Sequence, residues 1–192
     1  VNASGHSTWT PQMSTIYNQV CEHLANGTGD LMFVQGKAGV GKTTLNRVLL
    51  AECRAQNMVG LVCAPTALAA SLYENGMTCH EACKLNVVED EQWESYSSRL
   101  QSFPGRCELL SECRLLIIDE VFNVHRGNFN AMITALRTIR NSAHHSAGMI
   151  IVCTGDIHQI PPVVQNGSKN RILNASVVAN PTYQQTSKYH LT

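Results

Sequence analysis

The stretch GKAGVGKTT, residues 36–44, restricts the possible folds of this chain more than any other. It fits the spacing G-x-x-x-x-G-K-[ST] at Gly36, Gly41, Lys42 and Thr43. An apolar run from Leu31 to Gln35 precedes it, and apolar residues at helical spacing follow from Thr43 to Gln56. A glycine-rich turn that contains Lys-Thr by chance is the alternative. The order strand, loop, helix favours a phosphate-binding loop at the end of a buried strand.

The chemistry of such a loop follows from its residue types. Glycines 36, 39 and 41 let successive backbone N–H groups, with those of Ala38 and Val40 between them, turn toward a β-phosphate at the positive end of the next helix. Lys42 then reaches the β- and γ-phosphates, the Thr43 hydroxyl is the expected Mg²⁺ ligand, and Thr44 completes the nucleotide-binding set in the first helical turn.

The rest of the chain supplies a fold around this unit. Its 192 residues, 44% hydrophobic and 15% charged, suffice for the core of one ordinary α/β domain. Helical spacing runs from Met13 to Leu24, and further helices are expected over Ala67–Glu74 and Asn128–Arg140. The short apolar runs VGLVCA, RLLIID and GMIIVC read as buried strands between them. Alternation of such strands with helices predicts a doubly wound parallel sheet with helices on both faces. The polar region through Gln101, with acidic residues at 89–94, reads as a solvated insert, and SFPGR at 102–106 as a break.

Composition limits partners only weakly. Lys plus Arg number 14, as do Asp plus Glu, so a polyanion would need a local rather than a global basic surface. The eight cysteines lie in apolar or helical contexts and read as reduced core thiols; Cys79-His80-x-x-Cys83 offers three metal donors with no evident fourth. No apolar stretch approaches the ~20 residues needed to span a bilayer, and no charged and apolar leader precedes the first helix, so no membrane partner is expected. The chain begins at Val1 and ends at Thr192, which suggests a piece of a longer polypeptide.

Two further stretches complete a reaction centre. LLIIDE, 115–120, puts Asp119 and Glu120 at the carboxyl end of a strand, where open α/β sheets bind ligands. Asp119 would hold Mg²⁺ through water, and Glu120 would orient and deprotonate the attacking water. In GDIHQIPPV, 155–163, the Gln159 amide can hydrogen-bond the γ-phosphate or that water without adding charge. Prolines 161 and 162 stiffen the loop that would carry its displacement outward.

Taken in order, these stretches resemble the first RecA-like motor domain of superfamily 1 DNA helicases of the Pif (petite integration frequency) type, with Helitron-type helicases as close relatives. GKAGVGKTT resembles motif I, APTALAA motif Ia, GMTCHEACKL the DNA-contact motif after it, LLIIDEV motif II and GDIHQIPPV motif III. NGSKNRILNAS, 166–176, is similar to the segment that follows motif III, and Gln12 resembles the adenine-reading glutamine of the family. The resemblance implies a P-loop NTPase fold, ATP and Mg²⁺ as cofactors, and single-stranded DNA or a duplex fork as partner. It implies 5′-to-3′ unwinding in DNA repair, recombination or telomere maintenance, in nucleus or mitochondrion, with viral or mobile-element origin open.

The same resemblance divides the chain into an extension (1–11), the motor domain (12–165) and a segment (166–192) leading toward a second RecA-like domain. Motifs IV to VI, with their arginines, would lie beyond it. The chain alone is thus expected to bind nucleotide weakly, hydrolyse it poorly and unwind nothing. For DNA, Pro65 and Thr66 stand at a strand-to-helix turn suited to a phosphate, although Thr66 also suits a helix cap. Thr78 and His80 can bind phosphate or stack on a base, with a buried histidine as the alternative; the resemblance favours DNA. His125-Arg126 reads equally as a contact or as a solvated loop, and His158 is open between the same readings. Ala67-Leu68 and DEVFNV depart from the family pattern. A nucleotide-dependent binding switch without unwinding and an inactive mobile-element fragment are the competing readings.

Overall fold

A computed structural model describes residues 9–86, 96–159 and 174–192. Among these residues six strands form one sheet: β1 (Asp30–Gln35), β2 (Val59–Ala64), β3 (Met77–Thr78), β4 (Cys113–Ile118), β5 (Ile150–Gly155) and β6 (Ser187–His190). Their order is β3-β2-β4-β5-β1-β6, and every pairing is parallel. The expected doubly wound α/β sheet is thus present.

Strand alternation divides the core into two layers. Leu31, Phe33, Leu116, Ile118, Ile151 and Cys153 point to one face, where Phe129, Met132 and Leu136 of α6 (Arg126–Ile139) cover them. Met32, Val34, Leu115, Ile117, Ile150 and Val152 point to the other, under α1 (Pro11–Asn26) and α2 (Lys42–Ala55). Because both faces are buried, the strands carry continuous apolar runs instead of alternating polar ones. Helix α1 starts where Thr10 accepts a hydrogen bond from the Met13 amide, with Pro11 at its first position, and stops at Gly27, whose φ of 67° suits glycine.

Several expected elements differ. The helix expected over 67–74 ends early, as α3 (Ala67–Ala70). Its chain turns back so tightly that a Cβ on Gly76 would lie 2.1 Å from the Ala70 carbonyl oxygen, so helical periodicity gives way to a glycine-dependent turn. The SFPGR break opens a helix, α5 (Pro104–Glu112), because Pro104 occupies a first-turn position where its missing N–H costs nothing. Strand β3 and α4 (Cys79–Cys83) lie within the region read as an insert.

Of the segment 166–192, the described residues 174–192 pack against the domain. Asn180 caps α7 (Pro181–Gln185), Tyr183 packs edge-on at 4.8 Å from Phe33 and accepts a hydrogen bond from Gln35, and β6 pairs with β1. The acidic residues at 89–94, the prolines 161 and 162, and most of 166–176 lie outside the described residues. No helix among the described residues is long and apolar enough to cross a membrane.

Candidate active site

Parallel pairing brings the carboxyl ends of β1, β4 and β5 to one edge of the sheet, and the loops that leave them form the site. The Gly36 amide donates to the Gly155 carbonyl at 3.1 Å, which fixes the start of the phosphate loop against the end of β5. Gly39 and Gly41 take φ of 85° and 90°, conformations that a side chain would strain. Met13 of α1 lies over Gly41, so exposed Gln12 is the neighbour of a residue that touches the loop. Lys42 is 7% exposed and donates to the carbonyls of Gly36 (2.7 Å) and Lys37 (3.0 Å), curling back over the loop it belongs to.

The acidic pair follows β4. Asp119 Oδ1 accepts the Thr154 hydroxyl at 2.7 Å and the Glu120 amide at 3.0 Å; Oδ2 accepts the Tyr73 hydroxyl at 2.5 Å. Asn46 Nδ2 donates to Tyr73 and to Thr154, both at 2.9 Å. Asp119, an expected cation ligand, is therefore joined to Asn46 of α2 through one buried phenol. Burial first, and then the charge of Asp119, raises the pKa of that phenol.

Glu120 holds a left-handed backbone (φ 50°, ψ 40°), uncommon for a residue with a side chain and of the kind retained at functional sites. Burial raises its pKa, the charges of Asp119 and Asp156 add to that, and Lys42 opposes it. Glu120 thus shares an electrostatic environment with the loop lysine and both aspartates. After β5 the chain makes a turn in which Asp156 accepts the His158 amide on Oδ1 (2.9 Å) and the Gln159 amide on its carbonyl (3.1 Å). This places half-buried Gln159 on the connection that leaves the same strand end.

The residues expected to contact DNA stand side by side. Cys63 pairs with Met77 and Ala64 with Thr78, so Pro65-Thr66 and Thr78-Cys79-His80 leave adjacent strand ends. Both hydroxyls serve as caps: Thr66 accepts the Ala69 amide at 3.2 Å, and Thr78 the Glu81 amide at 3.1 Å. His80 is half-buried, and burial lowers its pKa. Leu68 is 81% exposed beside Thr66. Cys79 and Cys83 are core thiols, Cys79 lying 3.8 Å from the Cys63 sulfur. His125 and Arg126 do not form a solvated loop: the His125 ring accepts the Gly127 amide at 3.1 Å and stacks on Tyr96 at 4.5 Å, and Arg126 reaches the Ala179 carbonyl.

A family model described as PIF1-like helicase matches residues 9–192. The chain belongs to that family. The ATP-dependent DNA helicase Pif1 of a Psychrobacter strain is 31% identical over 144 residues, 75% of this chain and 22% of that protein. The Campylobacter jejuni helicase of the same name is 32% identical over 154 residues, 78% of this chain and 33% of that protein. The chain thus spans about a fifth to a third of these relatives. Among solved structures, Bacteroides Pif1 bound to single-stranded DNA aligns with a TM-score of 0.75 at 26% identity, covering 95% of this chain and 41% of that one. The same protein with ADP-AlF3 and single-stranded DNA aligns at 0.67 and 27%, covering 95% and 42%.

Within this PIF1-like domain, Tyr73, Asn46, Thr154 and Asp156 are site residues that motif reading missed. Asn46 follows Lys42 by one helical turn and is a polar residue on a buried helix face, a signal that was present. Thr154 is a fully buried hydroxyl at the end of an apolar strand. Tyr73 belongs to no motif. The donor set suits a hard divalent cation: a hydroxyl and a carboxylate, both oxygen, with the carboxylate held by neighbours that leave a lone pair unspent.

Proposed function

We propose that this PIF1-like domain is the first motor unit of an ATP-dependent 5′-to-3′ DNA helicase and that a second RecA-like domain completes it. The observation that carries the reading is Asp119 held by Tyr73 and Thr154 at the sheet edge where the phosphate loop begins, with Glu120 sharing the environment of Lys42 there. Amides of residues 36–44 would wrap the phosphates of ATP, Lys42 would leave its two carbonyls for the β- and γ-oxygens, and Gln12 would meet the adenine. Thr43 and Asp119 would hold Mg²⁺, which when bound neutralises charge developing on the phosphates.

Glu120 is the base in this reading. It accepts a proton from water as the water oxygen bonds to the γ-phosphorus and the β–γ bridging oxygen leaves with the bond pair. Its raised proton affinity suits it to that role more than a fully solvated carboxylate. Gln159 would hold the water or the γ-phosphate and relay its departure along the loop after β5. Pro65, Thr66, Thr78 and His80 would receive the phosphates and bases of single-stranded DNA next to the nucleotide cleft. The roles in repair, recombination and telomere maintenance, in nucleus or mitochondrion, belong to this same reading.

Titration with a fluorescent ATP analogue and Mg²⁺ tests it. The wild-type chain binds the nucleotide, and Lys42→Ala weakens binding at least about tenfold, the loss of one charged phosphate contact (~1.4 kcal/mol or more). In the full-length protein the same substitution abolishes ATP-driven strand displacement. Equal nucleotide affinity of the two forms sinks the reading.

A further inference from the structure

Proton counting at Tyr73 shows how tightly its hydroxyl is constrained. A phenol has one proton and two lone pairs. The proton goes to Asp119 Oδ2 at 2.5 Å, and Asn46 Nδ2 donates into one lone pair at 2.9 Å. Asp119 receives three donors, from Tyr73, Thr154 and the Glu120 amide, on a carboxylate with about four acceptor positions, so about one stays open.

The peptide around Tyr73 is held as closely as its hydroxyl. Helix α2, which begins at the phosphate loop, grips three successive residues: Arg47 donates to the Leu72 carbonyl at 2.6 Å, Asn46 to the Tyr73 hydroxyl, and Arg54 pairs with Glu74 at 3.5 Å. Just upstream lie the exposed Thr66, Leu68 and Leu72. Tyr73 itself is 5% exposed.

We propose that Tyr73 is a positioning residue for the reaction: its hydroxyl orients Asp119, the carboxylate ligand of the nucleotide–cation reading, and ties the 66–74 connection to it. The phenol acts through the Asp119 carboxylate, which accepts its hydrogen bond, and so links that carboxylate to the connection. Its position couples them in both directions. Loading the cleft with a cation restrains the connection that carries Thr66 and Leu68, and displacement of that connection loosens the carboxylate.

The inference rests on the nucleotide–cation reading of the cleft, and the test separates the two. Mn²⁺ binding to the protein–ADP complex is followed by electron paramagnetic resonance for wild type and Tyr73→Phe, and ADP binding is measured separately in EDTA. Phenylalanine keeps the buried ring and deletes only the hydroxyl. The expected result is Mn²⁺ affinity reduced about tenfold or more, the size of effect seen when a group supporting a metal ligand is removed, with ADP affinity in EDTA changed less than about twofold. Unchanged Mn²⁺ affinity overturns the proposal, and so does an equal loss of ADP affinity in EDTA, which would mean general damage to the pocket. Wild-type protein that binds no ADP sinks both readings; wild type that binds ADP and Mn²⁺ no better than the variant sinks this one alone. Should the variant fail to fold, amide exchange in wild type decides: Mn²⁺ with ADP slows exchange at 72–74 beyond ADP alone, and no added protection overturns the coupling.

Discussion

Thr154→Val isolates the physics that holds the acidic edge of the site. Thr154 is completely buried in β5; its hydroxyl donates to Asp119 at 2.7 Å and accepts from Asn46 at 2.9 Å. Valine has nearly the same shape and no hydroxyl. A hydrogen bond to a carboxylate acceptor is worth about 1.5–3 kcal/mol, and its loss leaves the buried Asp119 side chain with one donor fewer. Asn46 also loses an acceptor, keeping Tyr73 while its own Oδ1 is already without a partner, which adds about 1 kcal/mol. Burying a methyl in place of the hydroxyl returns up to about 1 kcal/mol. The net loss is about 2–3 kcal/mol, or about 4–12 °C in Tm for a domain of this size. Urea unfolding of the nucleotide-free protein at pH 7 measures it, with Thr154→Ser as the reference that keeps the hydroxyl and loses only a methyl, about 1 kcal/mol. A valine variant as stable as the serine variant would refute the account, because volume would then matter more than the bond to Asp119.

Two more substitutions probe the neighbours of this network. Burial and the charges of Asp119 and Asp156 hold the Glu120 carboxyl above its ordinary 4.5, so its contribution to folding is present below that pH and is lost as pH rises through the folded value. Glu120→Gln therefore raises Tm at pH 7, the gain disappears below about pH 4.5, and in the full-length protein ATP still binds while turnover stops; a variant less stable at pH 7 contradicts the sign. Gly76→Ala would put a methyl 2.1 Å from the Ala70 carbonyl oxygen and 3.0 Å from its carbon, both backbone atoms. It is expected to cost about 1–3 kcal/mol and to weaken Mn²⁺ binding through Tyr73; urea unfolding within about 0.5 kcal/mol of wild type would show that the turn yields freely.

The central fold is legible in the sequence because its signals are local. Leu31–Gln35, Leu115–Ile118 and Ile150–Cys153 are runs too short for helices and too apolar for exposed strands, and the structure buries them on both faces. What escapes lies at the edges. Met77-Thr78 is a strand only because β2 beside it offers free backbone groups, and Ser187–His190 only because β1 does so on the other side. Neither carries a run of apolar residues, since each is paired on one side alone. Helix Pro104–Glu112 lacks a distinct apolar stripe, and of its residues only Leu110 is buried, so periodicity has nothing to report.

The site divides along the same line. Glycines 36, 39 and 41, Lys42, Thr43, Asp119 and Glu120 are legible as candidates because the phosphate-loop and acidic-pair patterns set those residue types at fixed local spacings. Tyr73 obeys no such spacing. It reaches Asp119 across 46 residues and Asn46 across 27, and what selects it is a distance between two loops that exists only after β2, β4 and α2 have packed. A phenol there also has to be the end of a chain of constraints: the tight turn at Gly76 sets its backbone, Arg47 fixes the preceding carbonyl, and Asn46 fills a lone pair. Each of these looks neutral in isolation, an exposed arginine, a turn glycine, a helix asparagine. Substituting any one should therefore act on cation binding through the Tyr73 hydroxyl, with effects that fail to add in Tyr73→Phe, where the hydroxyl they position is already gone.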